Sequence, residues 1–510
     1  MNTASDGRDG KALLALCVFS TGAAMALFAW CVAQRMVHPF ELEWMEGGSL
    51  QHLVRIAEGL PLYPAPSLDF VPFPYPPLYY YAAFPLTPFF GVELLALRVL
   101  SVLSTLATAG LLAALVRFET GRTAIAIAAA GLFLATYLES GAYMDVARLD
   151  SFFVLVSLAG VVVLRTRDDL VGWLLVGLLA ATATLTKQTA PAIFGPLILW
   201  AFMRDRFDAR EQDQGIRRAL TSGGLACVIV LAAIWWIGSG ENTHFFRYIL
   251  GAQAGHEIRW WMVPSFFAVD LFYTLPIATA VAVWGLWRHA DRGVFWFYVA
   301  LFVGVVAACI VPRVKVGGAM NNLIPLHATA VLLGCVGWGS WSNARAATQG
   351  ASNRFAHLAM LALVAQFAWL GFDPRIALPR AGDLEAGVRF VEQLRRIEGE
   401  VLMPAHGYLA RMAGKRVFAH QMPVDDIQDS GLADAAVLRD AFTQAIAERR
   451  FALVIDATDS FLERYPNDHV LKENYRLRGP VFEAPRTLIP RSGWPVSPGR
   501  AWTPIPREAP

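Results

Sequence analysis

Residues 12–33 read ALLALCVFSTGAAMALFAWCVA, and residues 41–48, just beyond, read ELEWMEGG. The first stretch has 22 residues and no charge, where about 20 apolar residues are enough to cross a bilayer as a helix. The second places Glu41, Glu43 and Glu46 directly past the end of that span. A charge at the middle of a bilayer-spanning helix costs about 3 kcal/mol, so acids at a membrane boundary face water, a partner or a ligand. The span fixes a membrane protein; the acids mark a functional site at its outer edge.

The rest of the chain agrees with this class. It is 56% hydrophobic, 12% aromatic and 16% charged over 510 residues, with a mean hydropathy of +0.44. A formal charge of +2 with no basic stripe gives no footprint for nucleic acid. The five cysteines, Cys17, Cys31, Cys227, Cys309 and Cys335, all fall in apolar runs without CxxC or zinc-type spacing. Neither a disulfide nor a zinc site is expected from them. The run 12–33 exceeds a signal-peptide core of roughly 7–15 residues and ends at Gln34 without a small-x-small cleavage site, so it reads as a retained first helix.

About eleven spans are predicted: 12–33, 97–116, 123–139, 150–165, 170–186, 189–203, 219–238, 263–287, 293–311, 321–341 and 355–372. Basic residues cluster in alternate short loops, at Arg8 and Lys11, Arg117 and Arg122, Arg165 and Arg167, and through the loop 204–218. By the positive-inside rule the N-terminus is cytoplasmic and, with an odd count, the C-terminal part lies outside. The long loop 34–96 then faces outward. In it Leu50, Leu53, Val54 and Ala57 share one helical face, the pattern of a helix lying in the membrane interface. Residues 75–92 are apolar but broken by Pro76, Pro77, Pro85 and Pro88, which suits a re-entrant or interfacial segment. The expected fold is therefore mostly α: a polytopic helical bundle over 1–372 with a small C-terminal α/β domain over 373–478 and a proline-rich tail over 479–510. In the small domain, helices are predicted at Asp383–Ile397 and Ala433–Arg449, and strands at Val401–Pro404, Arg416–Ala419 and Phe451–Ala457.

Four groups could carry chemistry, all at predicted outer ends of spans. Glu43 and Glu46 share a helical face and could converge on one substrate hydroxyl or one divalent cation, with Glu41 beside them. Asp145, Arg148 and Asp150 form Asp-x-x-Arg-x-Asp, in which Asp145 and Arg148 can pair and the set can orient a diphosphate or a cation. Lys187 in Thr186-Lys-Gln-Thr189 is placed as a point charge for a lipid-linked phosphate. Gly317-Gly-Ala-Met-Asn-Asn322, with Arg313 and Lys315 before it, offers amides and cations to anions, and Arg259 lies in another outer loop. The bland alternatives are helix caps, structural ion pairs and a snorkelling lysine. The chain has no Walker A, GxGxxG, GxSxG or HExxH sequence.

As a set, these residues resemble the GT-C superfamily of polytopic glycosyltransferases, in particular bacterial members similar to protein mannosyltransferases and lipid A aminoarabinose transferases. The resemblance covers about residues 12–372. It rests on Glu43-Trp-Met-Glu46-Gly47, Leu62-Tyr63, Tyr75-Pro-Pro-Leu-Tyr79, Asp145-x-x-Arg148-x-Asp150, Thr186-Lys187-Gln188 and Gly317 to Asn322 with Pro325. It implies a plasma-membrane enzyme that takes a sugar from a polyprenyl phosphate, using an outer-loop carboxylate as base, and passes it to a glycan, lipid or protein acceptor. Family members usually carry Asp beside the catalytic acid, whereas Met45 precedes Glu46 here. Glu46, next to Gly47-Gly48, is the expected base, with Glu43 as the alternative or as an orienting group. Arg148, Lys187, Arg259 and Arg313 are expected on the donor phosphate, Asp145, Asp150 and Glu41 on a cation or the acceptor, and Tyr75, Tyr79 and Tyr80 on lipid. No cofactor is required, and a divalent cation is a candidate. The rival reading is a transporter or lipid flippase, which would place ionisable groups at mid-membrane in two related halves.

Overall fold

The computed structural model describes residues 3–204, 212–252, 255–287, 291–347, 353–457, 468–484 and 486–506. Arg206 and Arg210 of the basic loop and the last residues of the proline-rich tail lie outside them.

Each of the eleven apolar runs is helical. Among the described residues five helices are long and apolar enough to cross a membrane: Lys11–Met36, Leu94–Thr120, Gln214–Ile237, Arg292–Val314 and Met320–Ser340. A sixth span results if Met262–Tyr273 and Pro276–Trp287, bent by 92°, are taken together, and Thr123–Ala135, Leu170–Thr186 and Ala190–Met203 are shorter apolar helices. Burial orders the bundle. In its most apolar stretch Met320–Ser340 is 89% buried, against 17% for Lys11–Met36 and 11% for Gln214–Ile237. The first is the central helix and the other two are the apolar rim. Phe28, Leu112, Phe133, Val161, Phe194, Leu301 and Val331 belong to one continuous core between them.

Small residues let the central helix approach Pro276–Trp287. A Cβ on Gly285 would stand 2.5 Å from Gly337 Cα, and one on Gly334 would stand 2.8 Å from Ala278 O, the close backbone approach that helices use in lipid. The 92° break before Pro276 frees backbone groups that lipid could not satisfy. Gln366 satisfies them: its Oε1 accepts from Ile277 N at 3.0 Å and Ala278 N at 3.3 Å, and its Nε2 donates to Thr274 O at 3.4 Å.

Beyond the bundle lies a four-stranded sheet of order β1-β2-β4-β3, with β1 Glu400–Leu402, β2 Phe451–Ala457, β3 Tyr475–Pro480 and β4 Pro498–Pro504. β1 and β2 are parallel and the other pairs antiparallel. Helices Asp383–Arg395 and Asp434–Ala447 form where periodicity predicted them. Arg416–Ala419, expected as a strand, has no strand partner among the described residues; its Ala419 N–H donates instead to Leu68 O, in the long loop after the first helix, at 2.9 Å. That loop clamps the sheet onto the bundle, for Leu62, Tyr63, Leu68 and Val71 share a core with Leu402, Phe451 and Trp502. The helix Glu46–Ala57 differs from the interfacial expectation. Its apolar face, Leu50 and Leu53, packs on Tyr79, Tyr80, Leu94 and Leu97, so protein rather than lipid covers it.

Candidate active site

The loop after the first helix is tied down by one guanidinium. Arg98 opens the second span, fully buried. Its Nε donates to Glu46 Oε1 at 2.8 Å and its Nη2 to Glu46 Oε2 at 2.6 Å. The same side chain donates to the carbonyls of His38 at 2.6 Å and Phe40 at 2.7 Å. Glu46 also accepts from Leu42 N at 2.6 Å and Ala147 N at 2.7 Å. Four N–H groups thus saturate both of its oxygens, and the acid that sequence favoured as base is locked in place. Gly47 and Gly48 form the first turn of a helix rather than an exposing bend. They are glycine because a Cβ would meet Glu41 Oε1 at 2.4 Å and Phe73 Cζ at 2.2 Å respectively.

The Asp145 and Arg148 pair expected from spacing is not made. Asp145 takes Arg35 instead, Nε to Oδ2 at 2.8 Å, and accepts from the Tyr137 hydroxyl at 3.0 Å. Arg148 turns the other way, 3.6 Å from Glu43 Oε2 and 3.9 Å from Asp150 Oδ2, with one Nη donating to the Tyr75 hydroxyl at 3.3 Å. Asp150 is the hub of the far side. Its Oδ1 accepts from Lys187 Nζ at 2.8 Å and its Oδ2 from Asn321 Nδ2 at 3.0 Å, while Lys187 also donates to Asn322 Oδ1 at 2.9 Å. Segments 41–46, 145–150, 187 and 321–322, scattered in sequence, therefore meet in one buried cluster.

Glu43 is the exception within it. Its Oε2 accepts from Met45 N at 3.1 Å, but its buried Oε1 has no hydrogen-bond partner among the described residues. Burial pushes its carboxyl up, and although the Arg148 charge opposes this, the group titrates at about 8. Burial acts the same way on Glu46, yet Arg98 overcomes it and holds that carboxyl below the ordinary range. Glu41 is raised by burial and then by the Glu46 charge. Its Oε2 lies 3.2 Å from His406 Nδ1 of the C-terminal domain. One carboxyl raised above the ordinary range and one held below it, three residues apart, result from opposite environments.

Other expected members lie elsewhere. Arg313 pairs with Asp270 at 2.8 Å, and Arg259 is exposed on a stretch whose backbone joins Val314. Tyr79 and Tyr80, expected on lipid, are buried in protein. The Tyr79 hydroxyl donates to Leu97 O at 3.1 Å, and the Tyr80 ring stacks on His52 at 4.5 Å. Sequence reading passed over Arg35 and Arg98. The available signal for Arg98 was a lone charge inside an apolar helix. Among the described residues no group of three His, Cys, Asp or Glu side chains could hold a metal ion. Glu41, Glu43 and Glu46 turn to His406, Arg148 and Arg98 respectively, so they do not fit a shared cation.

In overall structure the chain is similar to ArnT from Cupriavidus metallidurans bound to undecaprenyl phosphate, with a TM-score of 0.59 and 14% identity over 96% of this chain and 97% of that one. The fold is that of the GT-C membrane glycosyltransferases. The GT-C likeness extends to the Archaeoglobus fulgidus oligosaccharyltransferase tethered with an acceptor peptide, with a TM-score of 0.54 and 10% identity over 92% of this chain and 72% of that one. It extends also to archaeal AglB from A. fulgidus in complex with an inhibitory peptide and a dolichol-phosphate, with a TM-score of 0.52 and 10% identity over 87% and 69%. The family of dolichyl-phosphate-mannose-protein mannosyltransferases matches residues 74–236, a stretch that holds Tyr75, Arg98, Asp145, Arg148, Asp150 and Lys187. No curated protein matches the chain in sequence.

Proposed function

We propose that this multi-pass membrane glycosyltransferase moves a sugar from a polyprenyl-phosphate donor to an acceptor hydroxyl, with Glu43 as general base. The observation that carries the reading is the buried Glu43 carboxyl, with one unpartnered oxygen and an elevated pKa, beside Arg148 and Lys187. A base of this kind is close to the ambient pH, where proton abstraction is most effective. Glu43 takes the proton of the acceptor hydroxyl as its oxygen bonds to the sugar C1. The C1–O bond to the phosphate breaks, and its electron pair leaves with the polyprenyl phosphate. Arg148 and Lys187 balance the charge that grows on that phosphate. Lys187 has three N–H donors, of which Asp150 and Asn322 take two. Asp150 and the two asparagines aim it. Glu46 and Asp145 act at one remove, anchoring the loops that hold Glu43 and Arg148. The proposed step gives Arg148 and Lys187 the neutralising work that a divalent cation would otherwise do.

Relatives of the same fold were found with undecaprenyl phosphate, dolichol-phosphate or an acceptor peptide bound, which supports a lipid-linked donor and a separate acceptor, whether glycan, lipid or protein. In the proposed orientation the N-terminus is cytoplasmic and the sheet domain is extracytoplasmic at the inner membrane. A transporter would be expected to place its ionisable groups at mid-span, whereas Arg35, Arg98, Asp150 and Lys187 all sit at or beside helix ends. The test is to incubate purified protein with a panel of polyprenyl-phosphate sugars and follow release of polyprenyl phosphate. Consumption of one donor by the wild type and its loss in Glu43→Gln are expected. A wild type that consumes none, or a variant that matches it, refutes the proposal.

A further inference from the structure

β3 and β4 are antiparallel neighbours, a pairing that a turn of about two to five residues closes. The chain instead uses residues 481–497 for this connection and carries it to the acidic loop of the bundle. There the N–H groups of Arg491 and Ser492 both donate to Leu42 O, at 2.8 and 2.9 Å, and Glu43 and Ser492 form an isolated β-bridge. Ser492 Oγ donates to Ala142 O at 2.8 Å and accepts from Arg35 Nη2 at 3.1 Å. Gly493, at φ +76°, lies so close that a Cβ there would stand 2.5 Å from Glu43 Oε1 and 2.7 Å from the Tyr143 hydroxyl. Val496 is buried against Trp44, Ala405 and Ala457.

This excursion lies on the oxygen of Glu43 that has no partner among the described residues. An acceptor hydroxyl must come within about 3 Å of the base that deprotonates it, and the Gly493 backbone lies against that position. Two further features suit a segment that moves. Arg486 and Leu488 hold left-handed backbone, at φ 71° and 56°, a conformation that L-residues avoid and that concentrates at switches and clamps. Long connections of this kind within compact domains are commonly active-site lids. We infer that residues 488–496 form a lid over Glu43 that the acceptor displaces, and that the closed lid keeps water from the base. The inference rests on the transfer reading above. Without a lid, water would take the acceptor's place: its oxygen would bond to C1, its proton would pass to Glu43, and the polyprenyl phosphate would leave. Closing such sites to water is a common means of suppressing hydrolysis.

The experiment uses the full-length protein and whichever undecaprenyl-phosphate sugar of the panel the wild type consumes, with water as the only acceptor. Ser492→Ala removes both contacts of the hydroxyl and should raise donor hydrolysis about tenfold, with the donor KM unchanged. Ser492→Thr, which keeps the hydroxyl, should stay near the wild type. Hydrolysis that is unchanged, or that falls while the donor KM rises, overturns the lid and leaves Ser492 a structural tie. A second measurement needs neither turnover nor a variant. In the wild type, amides of 488–496 should exchange with deuterated solvent at least about tenfold faster than those of Pro498–Pro504, as local opening requires. Equal protection of the two segments overturns the lid even if transfer is established. If instead no donor is consumed, the transfer reading fails while the exchange result still decides whether the segment opens.

Discussion

Glu43 and Glu46 stand three residues apart, the second opening a helix and the first in the loop before it, and replacing each by glutamine should have opposite consequences. The Glu46 carboxylate accepts four N–H groups, from Arg98 twice, Leu42 and Ala147. Glutamine keeps one oxygen and turns an NH2 toward donors that the other oxygen served. It also leaves the Arg98 guanidinium buried without its counter-charge, a change that costs about 3–5 kcal/mol. Glu46→Gln should therefore lower thermal stability in detergent sharply, with any loss of turnover following from the loss of folded protein. At Glu43 the balance differs. With a titration point of about 8 the carboxyl is mostly neutral at pH 7, and glutamine resembles that form. Its oxygen can still accept from Met45 N, and the NH2 would replace an oxygen that has no partner. Stability should stay within about 0.5 kcal/mol of the wild type, while donor turnover falls about 10²–10⁴-fold with the base removed. Thermal unfolding read by size-exclusion, beside release of polyprenyl phosphate, separates the two effects. A stable but inactive Glu46→Gln together with an active Glu43→Gln would refute this division of roles.

The pH dependence has a definite sign. Transfer needs ionised Glu43, so the rate should climb toward a midpoint of about 8, and the residual rate of Glu43→Gln should lack that limb. Because the folded protein holds this proton more tightly than the unfolded chain, its contribution to stability is present in acid and is lost as pH rises toward 8. The depressed Glu46 works in reverse: its contribution is present above about pH 4.5 and is lost in acid. Lys187→Met should reduce kcat/KM for the donor about 10–100-fold, the worth of a charge-assisted hydrogen bond, with Lys187→Arg intermediate, as donor titrations would reveal. Arg98→Lys should destabilise nearly as much as Glu46→Gln in thermal unfolding, since an ammonium does not reproduce a fork that grips one carboxylate and the carbonyls of Arg35, His38 and Phe40. A phosphatase fused to the C-terminus should be active and a fluorescent protein there dark; the opposite pair of results would overturn the proposed orientation.

Apolar patterning made the bundle legible because lipid leaves a chain few options. Every backbone group in an apolar environment must be satisfied within its own helix, so each long uncharged run had to be one. The sheet was harder to read. β2, Phe451-Ala-Leu-Val-Ile-Asp-Ala457, is the central apolar strand and was expected. β3, Tyr-Arg-Leu-Arg-Gly-Pro, straddles the expected end of the α/β domain without a strand signal of its own, and β4, Pro-Gly-Arg-Ala-Trp-Thr-Pro, falls in the expected proline-rich tail. β3 is an edge strand and buries little beyond Tyr475, while β4 sits inside the sheet with prolines at its two ends and Trp502 facing the core. Such strands show no apolar run, and proline at their limits looks like the end of structure.

The site was legible in its parts and not in its pairing. Sequence spacing says which charges are able to meet along one helix turn, as with Asp145 and Arg148. The choice among partners is made by charges brought in from far away. Asp145 binds Arg35, 110 residues distant, because that guanidinium fork and the Tyr137 hydroxyl together satisfy it. Arg148 is thereby released toward Glu43 and Asp150. The same exchange decides the two glutamates. Arg98 reaches Glu46 across 52 residues and saturates it, whereas Glu43 has the Arg148 guanidinium only at 3.6 Å and its second oxygen stays unpartnered among the described residues. A buried carboxyl held only this loosely takes up a proton readily, which suits the proposed base rather than an anchor. In the proposed mechanism, which of two neighbouring acids does chemistry is thus set by one arginine at the mouth of an apolar helix, a residue whose cost in that position was the clue to its importance.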